Sequence, residues 1–132
     1  MQRSTERSHE LTVILKAKEL ASYILTITDK SPKRFRFTLS SRLQNYALDI
    51  IENLYLANET FARTNGPAAE RRLALQHKAM TQIKLLDYTA HLAVEEKCIL
   101  FRQYEQISRQ VSDCQNLLGA WINSDRRRYS GK

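Results

Sequence analysis

From Ala68 to Leu118 the chain contains neither glycine nor proline. A backbone without those residues has few ways to turn sharply, so this stretch reads as long helix. The whole chain has only three Gly and two Pro among 132 residues, too few for the tight turns of a β-protein. Leu, Ala, Glu, Gln, Lys and Arg fill the spaces between, all good helix formers. The expected class is all-α, and the length suits one domain with one core.

Apolar periodicity divides the chain into four helices, over residues 10–29, 38–65, 68–94 and 99–123. Val13, Ala17, Leu20, Ile24 and Ile27 recur at helical spacing and form the first stripe. Ser31-Pro32 ends that helix, because proline cannot continue the hydrogen-bond ladder and disfavours helix in the residue before it. Thr38 is the expected N-cap of the second helix, whose stripe is Leu39, Leu43, Tyr46, Ile50, Leu54, Ala57 and Phe61. Asn65-Gly66-Pro67 punctuates next, with Gly66 suited to a C-terminal cap and Pro67 to the first turn of a new helix. One helix from Ala68 onward would have no partner of matching length, so a break is expected between Glu95 and Cys98. Leu75, Ala79, Ile83, Leu86, Ala90 and Ala93 form the third stripe. Leu100, Tyr104, Ile107, Val111, Cys114, Leu118 and Ile122 form the fourth, with Trp121 beside it. Residues 124–132 read as a polar tail that frays. Four amphipathic helices with short connections predict an antiparallel up-down-up-down bundle.

Charge gives the first functional indication. Lys and Arg total 21 against 14 acidic residues, a formal net charge of +7. Such a field favours nucleic acid, an anionic membrane or an acidic protein. In the expected topology both termini and the Asn65-Gly66-Pro67 turn share one end. That end gathers Arg3, Arg7, Arg63, Arg71, Arg72, Arg126, Arg127 and Arg128. The other end holds Lys33, Arg34 and Arg36, with Glu95 and Glu96 partly offsetting them. Arginine's planar fork grips phosphate with two bonds where lysine acts as a point charge. Phe35 and Phe37 alternate with Arg34 and Arg36; the rings either stack on unpaired bases or cap the core, and capping is the favoured reading.

Chemical motifs are few. Asp87, His91 and Glu95 lie at i, i+4 and i+8 and could line one side of the third helix. A ferritin-like di-metal site needs Glu-x-x-His on two helices with further inward carboxylates, and only one helix here offers His. Exposed i, i+4 partners are the favoured reading. His9 and His77 have no evident partner. Cys98 and Cys114 make no C-x-x-C pair, which suits a reduced, cytoplasmic protein. No phosphate-cradling Gly loop, secretion signal or apolar span long enough for a membrane occurs. No active site, metal or cofactor is expected.

The second helix carries a further apolar row, Leu48, Ile51, Tyr55 and Ala62, away from its core face. Leu11, Leu15 and Leu25 stand off the first stripe, and Ala74, Leu85 and Leu92 off the third. Helices apolar on two sides in a four-helix bundle predict self-association, with Leu48, Ile51 and Tyr55 at the contact between copies.

Two segments carry a resemblance. The run TLSSRLQNYALDIIENLYLANE, Thr38 to Glu59, resembles the second helix of bacterial four-helix-bundle proteins related to those encoded in ribosomal intervening sequences. The end, LLGAWINSDRRRYSGK from Leu117, is similar to the tail of the accessory variability proteins of diversity-generating retroelements. There a Gly-x-Trp-Ile element precedes a basic C-terminus, here Gly119, Trp121 and Ile122 followed by Arg126, Arg127 and Arg128. The resemblance implies a ring-like homopentamer that binds RNA or DNA, partners the element's reverse transcriptase and supports mutagenic copying. The sequence-based expectation is therefore a non-enzymatic, nucleic-acid-binding accessory protein. Its competitors are a protein-interaction adaptor without a nucleic-acid role and a small ferritin-like metalloenzyme.

Overall fold

The computed structural model describes the backbone of residues 2–130 and the side chains of residues 12–130. Within that range the chain is four α-helices with no strand: α1 Gln2–Thr28, α2 Ser41–Glu59, α3 Pro67–Glu95 and α4 Phe101–Ser130. Each packs on its neighbours in sequence, and α1 against α4 closes the bundle. Hydrogen bonds fix the antiparallel sense. Gln44 Nε2, early in α2, donates to Thr28 Oγ1 at the end of α1 (2.9 Å). Arg72, early in α3, reaches Asp125 near the end of α4.

The helical stripes become the core. Val13, Leu20, Ile24, Leu43, Ile50, Leu54, Ile83, Leu86, Ile107 and Leu118 are fully buried in one cluster, with Ala17, Ala57, Ala79 and Cys114 between them. Alternation of large and small side chains lets four helices interdigitate at close range. Two stripe residues depart from expectation. Leu100 lies just before α4 and is half exposed, and Phe61 is 70% exposed beyond the end of α2.

The first connection is wound rather than open. Pro32 is extended, a 3-10 turn follows at Lys33–Phe35, and a π turn at Arg36–Ser40 runs directly into α2. Thr38 is therefore no N-cap; its hydroxyl bonds back to the Phe35 carbonyl. Phe35 is buried at the core's edge, as the capping reading expects, while Phe37 is 86% exposed and does not cap the core.

α2 ends at Glu59, six residues earlier than expected from the Gly-Pro turn alone. Thr60 leaves the helix with an extended ψ, and Gly66, at φ 157° and ψ −169°, precedes α3 instead of capping α2. That backbone region is essentially open only to glycine. Pro67 occupies the first turn of α3, where its missing N–H costs nothing.

The third connection closes as a Schellman motif. The Cys98 N–H donates to the Ala93 carbonyl (2.8 Å) and the Lys97 N–H to that of Val94 (3.0 Å). Lys97 holds the left-handed position at φ 67°, the single non-glycine residue there with positive φ among those described. Gln103 Oε1 then accepts the Leu100 N–H, half of a capping box for α4.

The tail is the largest correction. Residues 124–130 continue α4 to Ser130 instead of fraying. Asp125 and Tyr129 extend the buried register from Leu118 and Ile122, and Arg127 and Arg128 sit where positive charge complements the helix C-terminus.

Two stability predictions follow from this framework. A left-handed lysine costs about 1 kcal/mol relative to glycine, so Lys97→Gly is expected to raise the chemical-denaturation midpoint; a lower midpoint would contradict the cap geometry. Burial, with a smaller contribution from Asp113, pushes the Cys114 thiol from its ordinary 9.0 up to about 12. The fold thus favours the neutral thiol. Its contribution is complete below pH 9.0 and is lost as pH rises toward about 12, at up to about 1.4 kcal/mol per pH unit. Denaturation series across that window should show a shallower alkaline decline for Cys114→Ala than for the native chain.

Candidate nucleic-acid interface

At the end of the bundle where α2 stops, α3 starts and α4 stops, a buried polar network underlies an arginine-rich surface. Asp125 is its centre, 3% exposed. Its Oδ2 accepts from Arg72 Nε (2.7 Å) and Gln76 Nε2 (2.9 Å), and its Oδ1 from Arg128 Nη2 (3.0 Å). Arg72, itself 5% exposed, also donates to the carbonyls of Ala57 and Thr60 at the end of α2. Its guanidinium stacks over the Trp121 ring, 5.1 Å from the centroid. Trp121, itself part of the core cluster, thus also forms one wall of this network.

Arg72 must therefore be removed from the phosphate-binding set. A guanidinium shared among Asp125, two carbonyls and an indole has no free face for a ligand. The signal lay in the register: Arg72 and Gln76 continue the third stripe below Ala79, and Asp125 continues the fourth beyond Ile122. Opposite charges in matching layers of two core stripes are a pair in waiting.

Arg63, Arg71, Arg126 and Arg127 lie exposed at this end. Arg126 donates to His77 Nε2 (2.8 Å), the partner that sequence alone did not supply for this histidine. Arg128 is half engaged, bonded to Asp125 and to the Tyr129 hydroxyl (3.0 Å), with its guanidinium 5.0 Å from that ring's centre. Arg3 and Arg7 lie outside the described side chains. A cavity of about 420 Å³ opens among Asn65, Leu73, Arg126, Arg127 and Tyr129. Beside the end of α2, exposed Phe61 sits under the guanidinium of Arg63, 5.8 Å from the ring centre. An exposed aromatic ring paired with an exposed arginine is the kind of arrangement that binds unpaired bases and phosphates together. Sequence periodicity assigned Phe61 to the core; the run of Thr60, Thr64, Asn65 and Gly66 around it was the sign that helix had already ended.

At the opposite end Lys33, Arg34 and Arg36 are exposed, and Arg34 stacks on buried Phe35 at 4.5 Å. The row expected between copies is only partly free. Leu48 and Tyr55 are about half exposed, but Ile51 is half-buried against the core. Gln44, Leu48, Ile51 and Tyr55 recur at helical spacing, so this row flanks α1, to which Gln44 bonds. Ala62 is buried with Ala69 and Tyr129, and Leu11 lies outside the described side chains.

Asp87, His91 and Glu95 do not converge on one point. Burial, then the charge of Asp87, pushes the pKa of the Tyr104 hydroxyl upward. His91 meets the same ring edge-on at 5.5 Å, while Glu95 stands 3.9 Å from His91. Among the described residues no three His, Cys, Asp or Glu side chains form a cluster able to hold a metal ion. Both cysteines are buried and free, and no described helix is long and apolar enough to cross a membrane.

No protein-family model matches the chain, and no curated protein matches it. Among solved structures it is similar to a protein of unknown function from the S23 ribosomal protein family of Bacteroides thetaiotaomicron. The two share 19% identity over 87% of this chain and 98% of the other, with a TM-score of 0.75. At that identity the likeness establishes a common four-helix fold.

The buried network makes its own prediction. Removing one member of a buried pair leaves an uncompensated charge and costs about 3–5 kcal/mol, whereas replacing both with apolar groups is close to neutral. Denaturation of Asp125→Ala should show a loss of that size, and the double variant Arg72→Met/Asp125→Leu should recover most of it. Equal losses in both would mean the pair does not act as a unit.

Proposed function

We propose that this chain is a non-enzymatic, basic accessory protein that binds RNA or DNA through the arginine-rich end. The observation that carries the reading is the grouping of Arg63, Arg71, Arg126 and Arg127, exposed and set on helix ends or the short turn between them, beside the open face of Phe61. Charge of one sign on a firm support neutralises phosphates and releases their counterions. The net charge of +7 adds a long-range field that draws a polyanion toward the surface.

The resemblance of the Gly119-Trp121-Ile122 element and the basic end extends the reading. It makes the chain a cytoplasmic partner of a reverse transcriptase in a diversity-generating retroelement, acting in mutagenic copying. It also supports a ring-like homo-oligomer, pentameric in that family, and the half-exposed Leu48 and Tyr55 supply an apolar contact for it. A ring would repeat each arginine patch and multiply a weak phosphate affinity.

Salt titration of binding to a labelled single strand and duplex tests the central claim. Neutralising roughly five phosphates predicts a loss on the order of 10²–10³ in affinity between 50 and 200 mM salt. Arg126→Glu/Arg127→Glu should weaken binding to all sequences about equally, because phosphate contacts carry no base code. No detectable binding at low salt would remove this reading in favour of a protein-only adaptor.

A further inference from the structure

The end of the bundle away from the described C-terminus contains a second, polar cavity of about 260 Å³. Part of its wall is already committed. Thr28 Oγ1 donates to the Ile24 carbonyl (2.6 Å) and accepts from Gln44, and Ser40 Oγ lies 3.7 Å from Cys98 Sγ. These contacts tie the wall to α1, α2 and the third connection, so it is a fixed surface. Four other lining groups are uncommitted: among the described residues Lys33, Arg36 and Asp29 have no ion-pair partner, and the buried Ser31 Oγ has no hydrogen-bond partner. The winding of the connection creates this arrangement, because the 3-10 turn places Lys33 and the π turn places Arg36 on the same recess.

Two unpaired cations and a buried hydroxyl around a recess are donors in search of a compact, multiply charged acceptor. A phosphomonoester carries about −1.5 to −2 at pH 7 and three acceptor oxygens, matching one arginine fork, one lysine and one hydroxyl. An internal phosphodiester carries less charge and needs two chain exits, which suits a groove better than a recess. Asp29 is the informative exception. A carboxylate repels bare phosphate but accepts hydrogen bonds from hydroxyls, so the lining is written for a phosphate attached to a sugar.

We propose that this cavity binds a terminal phosphomonoester on a ribose, the 5′-phosphorylated end of an RNA strand. The strand assignment rests on the nucleic-acid reading above; the phosphate site itself does not. Lys33 and Arg36 neutralise the dianion, Ser31 donates to one of its oxygens, and Asp29 accepts from the 2′-hydroxyl of the terminal ribose, a group that RNA has and DNA lacks. Phe37, next after Arg36 and 86% exposed, offers a face to the first base.

The test compares two RNA oligonucleotides of one sequence, 5′-phosphorylated and 5′-hydroxyl, by fluorescence anisotropy, alongside calorimetric titration with inorganic phosphate. The phosphorylated strand should bind the native chain at least ~10-fold more tightly. Lys33→Ala/Arg36→Ala should erase that advantage while leaving most of the affinity for the hydroxyl strand. These side chains are exposed, so the variant should melt like the native chain. Asp29→Asn should act in the opposite direction and tighten inorganic phosphate several-fold. Phosphate binding that depends on Lys33 and Arg36 without any preference between strands would support the site and reassign its source to a small phosphate ester. If neither strand binds while inorganic phosphate still does, the nucleic-acid reading fails and the phosphate site stands. Identical binding of phosphate and of the phosphorylated strand to the native chain and the double variant would overturn the proposal.

Discussion

Arg72 and Asp125 meet inside the protein with both charges sheltered from water, and much of the molecule is arranged around that fact. A buried ion must find its partner at close range or unfold what surrounds it. Sliding α4 by one turn against α3 would bury each charge alone, so the pair fixes the axial register of these helices. The same guanidinium also donates to the carbonyls of Ala57 and Thr60, where α2 stops. Three helix ends are thus tied by one guanidinium, and the exposed arginines are carried on a layer whose interior is already settled.

Most of this architecture is visible in the residue order, for a simple physical reason. Stripes such as Val13, Ala17, Leu20, Ile24 and Ile27 repeat at helical spacing because one face of each helix must leave water. The break between Glu95 and Cys98 was readable from length alone, even though it contains no glycine. The failures share a different cause: each concerns a polar or aromatic residue whose environment is set by another helix. Arg72 reads as surface charge until Asp125 is seen beside it. Phe61 reads as core until α2 ends before it. The final residues read as a tail because their polarity hides a buried Asp125 and Tyr129 at helical spacing.

The candidate surfaces were less legible than the fold, since local composition reports charge without reporting commitment. Of eight arginines gathered by topology, one is structural, one is half engaged, two lie outside the described side chains and four remain exposed. At the opposite end the reverse holds: an ordinary-looking connection, Ser31 to Ser40, winds into a recess that its sequence gives no reason to expect. The two ends differ in kind. One offers a broad charged face, the other a small open recess.

The continuation of α4 to Ser130 has a consequence for how any ligand is met. A frayed segment must be ordered as it binds, at about 1–2 kcal/mol for each backbone residue fixed. In a helix anchored by Asp125 and Tyr129, that loss is incurred once, on folding, and shared with the core. Arg126 and Arg127 therefore stand at a fixed angular separation of about 100°, and recognition there is a rigid-body event. The surface behaves as a template with its own spacing, to which a flexible strand must conform.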